Sequence, residues 1–258
     1  MRPLTQKFLG LIAGLSMLSA SGWTLELGEN REVELGPQMI LVELYTSQGC
    51  SSCPPADRYL KQLVEADENV LGLGLHVTYW DRLGWPDTLG QAQFDLRQSR
   101  LNRRLESRYN LVTPQMIVQG QHESAGSGAP HQSRVESFLD QVEATPNQQV
   151  KLAVRLADQR LDVTAQGELG ANAIVHLVAY KAESQSDILR GENAGRTLSY
   201  TNSVLHWLSQ PLGEGGLAAF DLGELADEGD SADFGALNWA LVVQQGENGP
   251  ILSAQELG

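Results

Sequence analysis

Residues 42–57 read VELYTSQGCSSCPPAD, and the rest of the chain is interpreted outward from this stretch. An apolar run and a turn at Gly49 lead to Cys50 and Cys53, the two cysteines of the 258-residue chain. A strand that delivers a cysteine to a helix N-terminus makes the thiol reactive, because the unpaired N–H groups and the helix dipole favour the thiolate. We therefore expect Cys50 to be exposed and to attack, and Cys53, one helical turn deeper, to resolve the mixed disulfide.

The same cysteine pair also permits a structural or a metal-binding role. In the loop-entropy model, a disulfide that closes so short a loop stabilises a fold by about 2 kcal/mol. This small gain argues against a purely structural role for the bond. Two thiolates and an imidazole would suit Cu(I), so a copper carrier is an alternative. Because each of the five histidines is isolated in the sequence, we expect neither a bound metal nor another cofactor.

The composition is strongly acidic, with 32 Asp and Glu residues against 18 Lys and Arg and a formal net charge of −14. A surface of this sign repels nucleic acid and anionic membranes, so we expect neither as a partner. The length of 258 residues allows one large domain or two modest ones, each with its own core.

The N-terminus has the pattern of a secretory signal peptide. Arg2 and Lys7 precede an apolar run over residues 8–20, and small residues follow it. About 13 apolar residues are too few to span a bilayer, which favours cleavage near residue 22 over an uncleaved anchor. Removal of residues 1–22 would leave 16 of the 18 basic groups against all 32 acidic ones, a net charge of −16. We expect a periplasmic or secreted protein without a membrane span, in a compartment where a disulfide persists.

The cysteine stretch resembles that of a family of secreted thioredoxin-like proteins, catalogued as domain of unknown function 1223. The hallmark of that family is close to the sequence ELYTSQGCSSCPPAD at residues 43–57. Further similarity lies in HVTYWDRLGW at residues 76–85, TPQM at residues 113–116 and GENAGR at residues 191–196. The resemblance spans most of the chain after the signal sequence and implies a thioredoxin-like fold around the cysteine pair.

The period of the hydrophobic pattern changes near residue 147. Before it, apolar runs at residues 39–45 and 70–78 flank a helical pattern, which predicts a right-handed β-α-β unit. After it, alternating segments predict six strands, at residues 151–157, 161–166, 173–180, 198–208, 217–222 and 238–244. With the resemblance, this predicts an α/β thioredoxin-like domain followed by a smaller, mostly antiparallel β-sandwich domain. The predicted segments are a signal peptide (1–22), an N-terminal arm (23–37), the thioredoxin-like domain (38–146) and the β-sandwich-like domain (147–258).

The resemblance also implies roles for residues away from the cysteines. Pro114 matches the thioredoxin proline that is cis and abuts the cysteine motif, and Thr113 before it would meet an extended client chain. Glu43 interrupts an apolar strand, where an unpaired carboxylate is costly to bury. In thioredoxins a buried acid on the equivalent strand takes the proton of the resolving thiol, a role that would fall to Glu43. The alternative is that Glu43 faces water at a strand edge.

Two loops each have two interpretations. Trp80 and Trp85 lie in a loop at the C-terminal end of a predicted strand, where open α/β sheets place their sites. They form either a substrate-facing wall beside Cys50 or a loop folded onto the core. The polar, glycine-bounded loop at residues 191–196 either reaches the Cys50 region or is an ordinary hairpin loop.

The function that these patterns favour is thiol–disulfide exchange with protein thiols and disulfides of the cell envelope. Cys50 would attack, Cys53 would resolve, and Pro114 would shape the groove for the client. A copper carrier and a non-catalytic thioredoxin-like scaffold are the alternatives. The state of the cysteine pair separates the three, because each requires a different redox potential or metal content.

Overall fold

The computed structural model describes residues 31–144, 150–223 and 236–257. The helices are α1 (Pro54–Ala66), α2 (Ala92–Arg104) and α3 (Ala129–Glu143). The strands, in chain order, are β1 (Arg31–Val33), β2 (Ile40–Thr46), β3 (Val70–His76), β4 (Gln115–Val118), β5 (His122–Ala125), β6 (Lys151–Ala157), β7 (Arg160–Gln166), β8 (Ala173–Ile188), β9 (Arg196–Pro211), β10 (Leu217–Asp221), β11 (Asn238–Gln245) and β12 (Ile251–Glu256).

The predicted β-α-β unit forms around the cysteines. Every residue of β2 and β3 is buried, and the two strands pair in parallel, as near-continuous apolar runs predict. Helix α1 begins at Pro54. Proline is tolerated in the first turn of a helix, because the N–H that it lacks would have no partner within the helix there. A Cβ at Gly72 would lie 2.7 Å from Val64, so this glycine lets α1 pack closely on β3.

The central sheet has eight strands in the order β12-β11-β8-β9-β3-β2-β4-β5. Strand β9 joins it beside β3, where Gly74 pairs with Ser203 in parallel. Helices α1 and α3 pack on one face of β2, and α2 packs on the other face. The second sheet has four strands in the order β1-β6-β7-β10, and its apolar face packs against β8 and β11.

The prediction of an α/β thioredoxin-like domain followed by a separate, smaller β-sandwich is wrong. The described chain is mostly β, with two sheets and three helices, and strands expected in a sandwich of their own extend the sheet that holds β2 and β3. The physical reason is the edge of β3, whose N–H and C=O groups would otherwise be unpaired and which β9 covers. Hydrophobic alternation predicts a strand but does not predict which sheet the strand joins.

The six strands predicted after residue 147 all occur, and β8 and β9 are longer than predicted. The predicted signal peptide and most of the predicted N-terminal arm lie outside the described residues, as does the predicted boundary between residues 146 and 147. Those segment boundaries stay predictions. No helix in the described parts of the chain is both long enough and apolar enough to cross a bilayer.

Candidate functional site

Cys50 and Cys53 form a disulfide with an S–S distance of 2.13 Å. The bond lies at the junction between β2 and α1, because Cys50 follows the turn after β2 and Cys53 is the N-cap residue of α1. The predicted order of strand, turn and helix is therefore present. Cys53 already has helical φ and ψ angles of −76° and −40°.

The expected exposure of Cys50 is wrong, since both cysteines are 0% exposed. The loop between β8 and β9, residues 189–195, which we call the strap, contacts the cysteine turn. Asn193 in the strap is itself buried, and its side-chain amide donates hydrogen bonds of 2.9 Å to the carbonyl oxygens of Gln48 and Cys50. Of the two interpretations of this loop, the one in which it reaches the Cys50 region is confirmed.

The two serines between the cysteines have different partners. Glu192 accepts hydrogen bonds from the Ser51 hydroxyl at 2.6 Å and the Ser51 backbone N–H at 3.1 Å. These bonds lower the pKa of the Glu192 carboxyl. The Ser52 hydroxyl lies 3.4 Å from the Cys50 sulfur. One hydroxyl of the pair therefore faces the sulfur, and the other holds the strap.

Trp80 connects the cysteine turn to the loop that holds Pro114. Its indole N–H donates to the Thr113 hydroxyl at 2.7 Å, and its Cβ lies 3.3 Å from where a Cβ on Gly49 would be. The Thr113–Pro114 peptide bond is cis, as the resemblance implies. Trp80 and Thr113 are thus brought beside the cysteine turn, and their roles toward a client stay predictions.

Trp85 supports the strap instead of a client groove. Its indole N–H donates to the Gln48 side-chain oxygen at 2.9 Å, and its Cβ packs against Gly191 of the strap. Its ring packs with a small cluster of residues at the base of the strap, Ile188, Leu198 and Tyr200. The half-buried Trp85 therefore agrees in part with each interpretation of its loop. It lies near the cysteine turn, and it also packs on the body of the protein.

Glu43 does not lie with the cysteines. It is buried and accepts two hydrogen bonds from Arg97 of α2, at 2.6 and 3.2 Å, and a third from the Tyr45 hydroxyl at 3.1 Å. Alternation along β2 directs Glu43 to the face covered by α2, whereas Cys53 begins α1 on the opposite face. The structure thus places Glu43 neither at a water-facing edge nor beside the Cys53 sulfur.

The buried acid near Cys53 is Asp57, which the sequence reasoning missed. Asp57 lies one turn along α1 from Cys53, and its N–H donates to the Cys53 carbonyl at 3.1 Å. Its carboxylate accepts one hydrogen bond, of 2.7 Å, from the Thr46 hydroxyl. Burial raises the pKa of Asp57 to about 7. The sequence feature that could have identified Asp57 is its position four residues after Cys53, because residues at that spacing share one face of a helix.

His76 and Asp87 form a second buried pair that the sequence reasoning missed. His76 Nδ1 lies 2.9 Å from Asp87 Oδ2, which also accepts the Gln48 backbone N–H at 2.7 Å. Burial alone would raise the pKa of Asp87, but His76 and backbone N–H donors lower it overall. Asp87 is therefore an ionised acceptor. The sequence carried little signal for the pair, because a histidine and an aspartate eleven residues apart show no regular spacing.

The copper-carrier alternative requires further ligands near the two sulfurs. Among the described residues, no group of three or more His, Cys, Asp and Glu side chains is arranged to hold a metal ion. His76 is paired in register with Thr46, the last residue of β2, and its Nδ1 lies 2.9 Å from Asp87 Oδ2.

Comparisons with known proteins agree with this picture of the fold. The crystal structure of protein AGR_C_4864 from Agrobacterium tumefaciens is similar, with a TM-score of 0.61 and 26% sequence identity over 84% of this chain and 93% of that one. No curated protein matches the chain. The model of a family described as protein of unknown function (DUF1223) matches residues 41–233, which is most of the chain. The chain therefore belongs to the DUF1223 family of proteins of unknown function.

Proposed function

We propose that the Cys50–Cys53 disulfide exchanges with protein thiols, in the periplasm or outside the cell. The observation that carries this proposal is the position of the bond: it joins Cys50, after the turn that follows β2, to Cys53, the N-cap residue of α1, and the buried acid Asp57 follows four residues later. A loop this short adds only about 2 kcal/mol of stability, so structural need is a weak reason for the bond.

The exchange follows from the positions of the two sulfurs. A client thiolate attacks the Cys50 sulfur, a new disulfide forms between client and Cys50, and the Cys50–Cys53 bond breaks. The electron pair of the broken bond passes to the Cys53 sulfur, which takes a proton. A second client thiolate then attacks the client sulfur of the mixed disulfide, so the client leaves oxidised and Cys50 leaves as a thiolate. The reverse sequence reduces a client disulfide.

Asp57 is the proton donor that this geometry supplies to Cys53. Asp57 follows Cys53 by four residues, a spacing that in helical geometry brings Cβ atoms within about 6 Å, and its N–H donates to the Cys53 carbonyl. With a pKa of about 7, the carboxyl is partly protonated at neutral pH and is able both to give and to accept a proton. The role that the resemblance implied for Glu43 is better served by Asp57.

Because both sulfurs are buried, a client reaches Cys50 only after the strap moves. The strap is held at the cysteines by two amide hydrogen bonds from Asn193 and by the exposed carboxylate of Glu192. Contacts of this number and kind open at a cost far below that of unfolding the domain. The covered disulfide is therefore the resting form, and client docking displaces the strap.

Trapping with single cysteine variants tests the proposal. Cys53→Ser keeps the attacking sulfur without the resolving one, so we expect it to accumulate mixed disulfides with envelope proteins that dithiothreitol releases. Cys50→Ser and the double variant, as matched controls, should accumulate few or none. Equal trapping by the two single variants would contradict the role assignment, and an absence of trapping by both would show a structural disulfide.

A further inference from the structure

A cleft of about 220 Å³ opens between α2 and the central sheet. Its lining comes from α2, the start of β8, the end of β9 and the turn between β11 and β12. The strap follows Ile188 at the other end of β8, and the strand between His176 and Ile188 spans up to about 40 Å. The cleft is therefore separate from the disulfide. An apolar cavity of roughly 150 Å³ admits benzene, so the cleft has room for one ring with a small substituent.

The floor of the cleft, its buried lining residues, consists of Phe94, Arg97, His176 and Trp207. Arg97 is 9% exposed, and its guanidinium donates two hydrogen bonds to the Glu43 carboxylate, at 2.6 and 3.2 Å. Burial alone would lower the pKa of Arg97, but Glu43 raises it overall, so the guanidinium is charged. Its central carbon lies 4.4 Å from the centroid of the Trp207 ring. The floor thus holds one cation whose charge a buried carboxylate already balances.

His176 adds no charge to the floor. Burial lowers its pKa from 6.5 to about 3. Its Nε2 donates to the Gln244 side-chain oxygen at 3.0 Å, because that oxygen can only accept and also accepts from Arg97. Its Nδ1 is then an acceptor, which receives the Trp207 indole N–H at 3.1 Å and the Ser209 hydroxyl at 2.7 Å. The imidazole is therefore neutral near pH 7, and both of its nitrogens are bonded.

The rim of the cleft carries a second balanced pair. Arg100 of α2 and Glu247 of the β11–β12 turn form an ion pair of 3.2 Å, and both side chains are more than half exposed. A charged ligand would leave water for the cleft without gaining an unpaired counter-charge, and such a transfer is costly. The charges of the lining therefore favour an uncharged ligand.

One polar atom of the lining has no partner. The side-chain oxygen of Asn248, in the β11–β12 turn, is buried and accepts no hydrogen bond from the described part of the chain. Buried polar atoms are normally bonded, so this oxygen is suited to an N–H or O–H donor from outside the chain. Beside it the lining is apolar, with the half-buried Ile174 and with Leu96, which is 59% exposed. Covering such surface is favourable for an apolar ring.

We propose that this cleft binds a small, uncharged aromatic molecule that carries an N–H donor, of the size and chemistry of a primary aromatic amide. Its ring would lie against Trp207 and Leu96, and its N–H would donate to the Asn248 oxygen. Small-molecule sites are commonly of this kind, with mostly apolar walls and a few polar groups that fix the orientation of the ligand. The site is independent of the proposed thiol exchange, because neither cysteine lines it.

Three probes of nearly the same shape test the class of ligand. Benzamide has the ring and the donor, acetophenone has a methyl group in place of the amide nitrogen, and benzoate has an anionic oxygen there. Each is titrated into the oxidised full chain and followed by nitrogen–proton NMR. Benzamide should bind about fivefold more tightly than acetophenone, the difference that one hydrogen bond makes, and benzoate should bind more weakly still. Equal binding of the three probes, or no binding of benzamide, would overturn the proposal.

Variants of two lining residues at the surface test the position of the ligand. Asn248→Ala removes the acceptor, so it should weaken benzamide binding about fivefold and leave acetophenone binding unchanged. Leu96→Ala should weaken the binding of both probes. Leu217→Ala, which changes a leucine of β10 that is 56% exposed, is the matched control and should affect neither. If Asn248→Ala weakened both probes equally, or if Leu217→Ala acted like Leu96→Ala, the proposal would be wrong.

The Trp207 indole N–H signal gives a readout that does not depend on any variant. It is assigned from its through-space contacts with the His176 ring, whose centroid lies 5.2 Å from that of Trp207. This signal should shift in step with the binding of benzamide, and an unchanged signal at saturation would overturn the proposal. Client trapping uses neither this residue nor these probes. Failure of trapping would therefore contradict the proposed thiol exchange and leave the ligand measurement intact.

Discussion

Asp57 and Glu43 are two buried acids with different partners. Glu43 faces the Arg97 guanidinium, which donates two hydrogen bonds to it and compensates its charge. Asp57 has one hydroxyl donor, from Thr46, and burial raises its pKa to about 7. The first is a structural ion pair within the α2 side of the core. The second retains a proton that is available near neutral pH, which is why only Asp57 suits proton transfer.

Replacing Asp57 with Asn should stabilise the protein at alkaline pH. The folded state binds the Asp57 proton more tightly than the unfolded state does, because its pKa is raised from 3.8 to about 7. The stability that depends on this proton is complete below the unfolded pKa and is lost as pH rises through the folded one. Asp57→Asn should therefore exceed wild type in unfolding free energy at about pH 8 by roughly 1–4 kcal/mol, and match it at about pH 4.

Denaturant unfolding at the two pH values measures this difference. Asp140→Asn, which changes an exposed aspartate of α3, serves as the control and should show little difference at either pH. A wild-type stability that does not fall between the two pH values relative to Asp57→Asn would contradict the assignment of a raised pKa to Asp57.

The strap is an extension of the β8–β9 hairpin that contacts the cysteine turn. Both strands run past the edge of β3 and carry the loop to the cysteine turn, where Asn193 and Glu192 bond to it. Gly191 and Gly195 have φ angles of 79° and 78°, which glycine adopts without strain. The strap is thus an ordered element whose attachment depends on a few polar contacts.

Asn193→Ala should make the disulfide easier to reduce. The variant loses two hydrogen bonds to backbone carbonyl oxygens, and each such bond contributes on the order of 1 kcal/mol. The population with an open strap should rise, and the rate of reduction by dithiothreitol under native conditions should increase by about tenfold or more. Thiol quantification over time measures the rate.

The control for this strap prediction is Asn202→Ala, which removes a buried amide bond from β9 to the Gly72 carbonyl, away from the strap contacts. It should lower the melting temperature without a comparable rise in the reduction rate. If the reduction rate rose equally in the two variants, the cause would be a general loss of stability, and the prediction that the strap opens would be contradicted.

The whole described molecule is organised by the eight-stranded sheet, which continues from the cysteine-bearing strands through β9 to β12. The contact between β3 and β9 joins the two halves, and the side chains of one core run across it, from Leu73 of β3 to Val178 of β8 and Ala240 of β11. A core that crosses the junction couples the two halves energetically, because neither half can bury its apolar face alone.

Thermal unfolding of the full chain should therefore be a single transition, with a ratio of calorimetric to van't Hoff enthalpy of about 1. Gly74→Val tests the junction, because a Cβ at this position would lie 3.3 Å from the Thr201 carbonyl oxygen. This substitution should lower the free energy of unfolding by about 1–3 kcal/mol and shift the single transition to a lower temperature without dividing it into two.

Gly36→Ala is the control, because a Cβ at this position would make only ordinary contacts, the nearest at 3.6 Å. It should leave the transition temperature unchanged. Two separate transitions in wild-type scanning calorimetry would contradict the coupling of the two halves.

The sequence by itself determined the local features of this protein. The order of strand, turn and helix around Cys50 and Cys53, and the existence of six of the strands after residue 147, follow from patterns within short windows. Such features depend on backbone propensity and side-chain period, which neighbouring residues encode. The resemblance to the DUF1223 family was likewise carried by a contiguous motif, and the family match confirms it.

Only the tertiary structure decided which strands share a sheet and which polar groups meet at the site. The pairing of Gly74 with Ser203, the hydrogen bond from Asn193 to the Cys50 carbonyl, and the ion pair between Arg97 and Glu43 depend on contacts between distant segments. The hydrophobic pattern of a strand does not specify which strand it pairs with. A buried carboxylate needs a partner, and the sequence around it does not show which element supplies that partner. The surroundings of the disulfide therefore include groups, such as Asn193, that its own segment does not contain.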